Sequence, residues 1–189
     1  MVQTPTKPMT LEAFLALPET EPASDFIDGQ VTQKPMPQGK HSTLQLEFSN
    51  VINAAVRPNK IARAFPELRC ICGTNTVVPD IAVFTQKRLP IDDNGEIANV
   101  FSIAPDWMIE ILSPGQRYAK VIKKIQCCLH NGTGMGWLID PNDRAVLIHR
   151  PNQEVQVILT DEPDTALPMP NFMNELSCTI EDLFNLLQA

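Results

Sequence analysis

Two acidic residues sit inside apolar runs: Asp80 in Val77-Val78-Pro79-Asp80-Ile81-Ala82-Val83-Phe84, and Glu110 in Trp107-Met108-Ile109-Glu110-Ile111-Leu112. An ionised carboxylate among strand hydrophobes loses its hydration and needs a cation, a hydrogen-bond network or a water-filled cleft to compensate. Side chains alternate across a strand, so Asp80 shares a face with Val78 and Ala82, and Glu110 shares one with Met108 and Leu112. On neighbouring strands the two carboxylates converge, and they repel unless a divalent cation lies between them. Hard oxygen ligands with open water positions suit Mg2+ or Mn2+. A cation held in this way can bind a phosphate oxygen and acidify a water for in-line attack on phosphorus, the chemistry of a phosphodiesterase.

A third residue joins them through helical periodicity. Between Ser113 and Ile139 there is no acidic residue, whereas Arg117, Lys120, Lys123 and Lys124 all fall there. Val121, Ile122, Ile125, Cys128 and Leu129 form one apolar arc at about 100° per residue. Lys123 lies opposite the centre of that arc and belongs in solvent. Lys124 stands at its margin, where a side chain can lean into a cleft and stabilise charge on a phosphate or orient a water. Taken singly, Asp80 is compatible with a proline-led strand start and Lys124 with a snorkelling surface lysine. Glu110, apolar on both sides, reads as part of a central strand.

These residues need a scaffold. Thr10 caps a short helix through Leu17, stopped by Pro18. Phe26 to Val31 is strand-like with a turn at Asp28-Gly29, and so reads as a hairpin. Leu44, Phe48, Val51, Ile52, Ala55 and Val56 recur at helical spacing before Pro58. Strand-like residues from Lys60 to Cys72 turn at Gly73-Thr74-Asn75 into the strand bearing Asp80. A loop from Leu89 to Ala104 contains Asp92-Asp93-Asn94-Gly95, but Pro90 and Phe101 occupy the first and last ligand positions that a calcium-binding EF-hand loop would require. The lysine helix runs to about Asn131. Gly136 to Ile139 and Ala145 to His149 are strands, as is Val155 to Leu159 at an edge. A proline-rich loop from Pro163 to Pro170 precedes a last helix opened by Thr179 and Asp182 as a capping box. The expected fold is one α/β domain, residues 1–189, with a mixed sheet flanked by helices.

Composition narrows the options. The chain has 189 residues with 43% hydrophobic content, enough for one substantial core. No apolar run approaches the length of a membrane span and the first ten residues lack the pattern of a secretory signal, so a cytoplasmic protein is expected. The five cysteines include no CxxC pair and have no suitably spaced histidines, which predicts reduced, buried thiols rather than zinc ligands. A formal charge of −7 argues against nonspecific coating of nucleic acid, while leaving room for a locally basic cleft.

VPDIAVF, PDWMIEILSP, the helix carrying Lys124 and GWLIDP together resemble the Uma-two family, a restriction-endonuclease-like group related to the PD-(D/E)xK nucleases. MTLEAFLALPETEP, DFIDGQV and QGKHSTL extend the resemblance over essentially the whole chain. It implies a restriction endonuclease-like core and a Mg2+- or Mn2+-dependent endonuclease acting on DNA, with Asp80, Glu110 and Lys124 as the catalytic set. Asp80, Glu110 and the Ile111 carbonyl are the implied metal ligands, and Asp25 and His41 are further contacts to metal or water. In the broader superfamily the lysine stands two residues after the second acid, a slot held here by Leu112, and the resemblance moves its role to Lys124. Val78, Lys120 and Cys128 replace the family's usual arginine, aspartate and tyrosine. These departures motivate the alternative of a weakly active or noncatalytic nucleic-acid-binding or assembly module on the same fold. Cleavage of both strands of a duplex is often served by a twofold homodimer.

Overall fold

The structure, a computed structural model, describes residues 9–174 and 176–188. Its centre is β7 (Trp107–Ile111), every residue of which is buried. β7 runs antiparallel to β6 (Ile81–Thr85) and parallel to β8 (Met135–Asp140). The parallel pair requires a crossover, and α3 (Tyr118–His130), the lysine helix, supplies it. With β3 (Ala62–Pro66), β9 (Ala145–His149) and β10 (Gln156–Leu159), these strands form a six-stranded mixed sheet ordered β10-β9-β8-β7-β6-β3.

Alternation divides the sheet residues between two cores. Ile81, Val83, Trp107, Ile109, Ile111, Trp137 and Ile139 face α2 (Gly39–Val56) and α4 (Ile180–Asn185). Phe48 of α2 stacks on Trp137 and meets Trp107 edge-on. On the opposite face Ala82, Met108, Leu112 and Leu138 pack beneath Val121, Ile125, Cys128 and Leu129 of α3. Glu110 shares its face with Met108 and Leu112, so it belongs to the α3 face. The close approach of α3 needs Gly136, where an added Cβ would stand 2.5 Å from Ile125 Cγ2.

The expected mixed sheet is present, and a second sheet that the sequence reading did not anticipate accompanies it. A second, antiparallel sheet contains β1 (Ser24–Ile27), β2 (Gln30–Gln33), β4 (Cys70–Cys72) and β5 (Asn75–Val77), ordered β2-β1-β5-β4. The expected hairpin from Lys60 to Phe84 exists, but it is bent between the sheets. Ala62 pairs with Thr85 and Pro66 with Ile81 in the large sheet, and Cys70 pairs with Val77 in the small one, all in one continuous register. Residues 67–69 and 78–80 form the break. Pro79 has no N–H to offer the ladder, and Glu67 adopts a left-handed φ of 50°. Asp80 therefore stands in the bend just before β6, not within a strand, with Glu67 across from it through the bond from Glu67 N–H to the Asp80 carbonyl.

The remaining elements match expectation closely. α1 (Leu11–Leu15) is shorter at its end than the predicted span to Leu17, and Thr10 caps it. Thr179 and Asp182 make the capping box reciprocally. Asp92 accepts from the Asn94 and Glu96 amides, a turn built from local bonds. All five cysteines are buried and free. Among the described residues no helix is long and apolar enough to cross a membrane.

Candidate active site

The bend in the hairpin, the end of β7 and the middle of α3 meet at one buried charge cluster. Lys124 extends its ammonium to the Val78 carbonyl at 2.7 Å, to Glu110 Oε1 at 3.0 Å and to Asp25 Oδ2 at 3.2 Å. Lys123, one residue earlier, points outward and pairs with exposed Asp28. The helical phase thus separates the two lysines as the sequence indicates. Asp140, the acid of GWLIDP, takes no part in the cluster; it accepts from Tyr118 and from the Asn142 and Asp143 amides, tying the start of α3 to the end of β8.

Asp80 is held by three elements at once. Its Oδ2 accepts from the Ile111 amide at 2.7 Å and lies 3.1 Å from His41 Nε2. His41 belongs to the first turn of α2, on the same buried stripe as Leu44, Phe48 and Ile52. Asp80 Oδ1 faces Lys34 Nζ at 2.6 Å. Burial alone would raise the Asp80 pKa, but Lys34, His41 and Lys124 outweigh it and hold the carboxyl below the usual carboxylate range. Glu110 differs: burial dominates the pull of Lys124 and pushes its carboxyl up to about 8. The Lys124 pKa is raised, because Asp25, Glu110 and Asp80 overcome the cost of burying the charge.

Asp25 lies beside Asp80 rather than on it. Its Oδ1 accepts from the Val78 amide at 2.7 Å while Oδ2 pairs with Lys124, so it fixes both the Val78-Pro79-Asp80 bend and the lysine. All the sequence-derived residues, Asp80, Glu110, Lys124, Ile111, Asp25 and His41, therefore meet in one place.

The sequence reading missed Lys34, Gln45 and Glu67. Lys34 follows β2 directly and continues the hairpin through its backbone N–H, which donates to the Ala23 carbonyl. This directs its side chain to Asp80, Glu67 and Val78. Gln45, one helical turn after His41, donates to the Asp80 carbonyl and to Glu67. Nothing in a polar loop residue before Pro35 marks it as buried; only the pairing of β1 with β2 could have shown it.

The donors suit a hard cation in part. Glu110 Oε1 is buried, with the Lys124 ammonium 3.0 Å away and no other polar partner. The Ile111 N–H points to Asp80, and because a strand residue sends its N–H and C=O to the same edge, its carbonyl faces that side too. Among the described residues no three His, Cys, Asp or Glu side chains form a metal cage. Two carboxylates and a carbonyl are oxygen donors of the kind that a hard divalent cation takes while keeping several of its waters.

Two clefts open onto the cluster. One, of about 450 Å³, is lined by Lys34, His41, Gln45, Glu67, Asp80 and Ser113. The other, of about 530 Å³, is lined by Asp25, Arg117, Lys120, Lys123 and Lys124, and it shares Lys34, Pro35 and Gln116 with the first.

The sequence model described as "Uma2: Putative restriction endonuclease" matches residues 11–181. The chain belongs to the Uma2 family. Among solved structures, this Uma2 chain is similar to the crystal structure of "a putative nuclease belonging to DUF820" from Anabaena variabilis ATCC 29413. That match has 58% identity and a TM-score of 0.92, covering 95% of this chain and 99% of the other. A chain of the DrdV–DNA complex is far less similar, at 16% identity and a TM-score of 0.37 over 65% of this chain and 10% of that one. No curated protein matches. The Uma2 chain thus has the restriction endonuclease-like α/β fold and belongs with nuclease-like proteins.

Proposed function

We propose that this protein is a divalent-metal-dependent endonuclease hydrolysing DNA phosphodiester bonds. The observation that carries the reading is the buried cluster of Asp80, Glu110 and Lys124 between two clefts, one lined by Asp80 and the other by Lys124, with Glu110 behind them against Lys124. Asp80, Glu110 and the Ile111 carbonyl would hold Mg2+ or Mn2+. When bound, such an ion supplies Lewis acidity and lowers the pKa of a water. Lys124, fixed by Val78, Glu110 and Asp25, is placed to stabilise negative charge on a phosphate. Arg117, Lys120 and Lys123 along the second cleft would hold the flanking backbone phosphates. Asp25 and His41 act as positioning residues, one on the Val78 bend and Lys124, the other on Asp80. The proposal includes a cytoplasmic location and a homodimer acting on duplex DNA.

The noncatalytic module remains a second reading because protein donors already engage both Asp80 oxygens. Plasmid cleavage during a Mn2+ titration separates the two. Cleavage is expected in the wild type and lost in Asp80→Ala and Glu110→Ala. Cleavage surviving both substitutions refutes the site, and a protein that takes up no metal favours the binding module.

A further inference from the structure

Lys34 stands where a cation bound to Asp80 would stand. Its ammonium lies 2.6 Å from Asp80 Oδ1, 2.8 Å from Glu67 Oε1 and 3.1 Å from the Val78 carbonyl. Three oxygens, two of them carboxylate oxygens, thus converge on one positive centre, and the Lys34 side chain is only 9% exposed. The opposite oxygen of Asp80 is unavailable, since the Ile111 amide and His41 both approach it. A cation therefore has to reach Asp80 from the Oδ1 side, which Lys34 covers. Lys124 also bonds to the Val78 carbonyl, at 2.7 Å. The two ammonium nitrogens can thus be at most 5.8 Å apart, the sum of 3.1 and 2.7 Å. An incoming divalent ion would meet two positive charges in a poorly screened space.

We propose that Lys34 competes with the divalent cation for Asp80 Oδ1, and that binding of the cation displaces the Lys34 ammonium from the Asp80–Glu67–Val78 seat into the adjoining clefts. The inference rests on the metal site proposed above. Lys34 lines both clefts, so the displaced side chain has open volume beside it. There it can meet a substrate phosphate instead of a carboxylate. Lys34 then acts as the counter-ion of Asp80 until metal arrives. Glu67, which has no counterpart among the sequence-derived ligands, becomes an outer acceptor for the metal's waters.

The test measures Mn2+ affinity directly, by calorimetry and by electron paramagnetic resonance of free Mn2+, with no DNA present. Wild type, Lys34→Met, Lys34→Arg and Asp80→Ala are compared, with thermal unfolding used to check that each is folded. Lys34→Met removes the competing charge and should bind Mn2+ about ten- to a hundredfold more tightly, the worth of the charge-assisted bonds that the metal must otherwise break. Lys34→Arg keeps the charge and should stay within a few fold of wild type, so the pair separates charge from shape. Metal-induced thermal stabilisation should follow the same order. If wild type binds Mn2+ in an Asp80-dependent manner and Lys34→Met binds no more tightly, the competition is overturned while the metal site stands. If neither wild type nor Lys34→Met takes up Mn2+, both the competition and the metal-site reading fail. Should Lys34→Met prove unfolded, Lys34→Gln replaces it, with the same expected tightening and the same overturning result.

Discussion

Glu110→Gln isolates the energetic anomaly at the centre of this fold. Burial pushes the Glu110 carboxyl from an ordinary 4.5 up to about 8. Because the folded-state pKa is raised, the native state binds this proton more tightly than the unfolded chain does. Below pH 4.5 the group is protonated in both states and has no effect. Between pH 4.5 and about 8 the wild type loses about 1.4 kcal/mol of stability per pH unit, approaching a total of about 5 kcal/mol. That is a large fraction of the 5–15 kcal/mol typical of a domain. Glutamine keeps the shape and does not titrate, so this slope should vanish. Asp80 is shifted the opposite way: its contribution is present above its ordinary pKa and lost as pH falls below it, and it is common to both proteins. Urea unfolding, followed by the fluorescence of the fully buried Trp107 and Trp137, is the assay. At pH 8.5 the variant should exceed wild type by about 3–5 kcal/mol, and at pH 4.5 the two should agree within about 1 kcal/mol. Added Mg2+ should flatten the wild-type slope and leave the variant unchanged, since a nearby cation favours the ionised carboxylate. A wild type and variant separated by the same amount at both pH values would show that Glu110 ionises normally and that the buried-acid reasoning is wrong.

Two further outcomes follow from packing and exposure. Lys124→Met should cost about 3–5 kcal/mol and abolish cleavage, because it strands the buried Asp25 carboxylate and the Val78 carbonyl. Lys123→Met, which removes only an exposed pair with Asp28, should cost no more than about 1 kcal/mol; comparable losses in the two variants would contradict the helical phase. Gly136→Ala places a Cβ against the stiff Ile125 side chain and should cost about 1–3 kcal/mol through overpacking. Its near-ultraviolet circular dichroism should change as α3 lifts from β8, and an unperturbed spectrum with full stability would argue against that close contact.

Much of this architecture is local in origin and so was readable from the chain. Thr10 and the Thr179–Asp182 box mark helix starts by bonding to amides three residues on. Val121, Ile125, Cys128 and Leu129 set the phase of α3, and that phase alone separates Lys124 from Lys123. Strand alternation assigns Glu110 to the face of Met108 and Leu112, and two acids in apolar runs point to the buried charge cluster. What sequence periodicity could not supply is the long-range geometry. The break at Glu67 and Pro79 divides one hairpin between two sheets, a bend that no local pattern specifies. That bend places Glu67 opposite Asp80 and lets Lys34, from a polar loop, close over the Asp80 carboxylate. The sequence alone determined which groups are costly to bury, since desolvation depends on residue type and immediate neighbours. Only the tertiary structure decided which charges answer them, because Lys34, forty-six residues from Asp80 along the chain, reaches it through strand pairing alone.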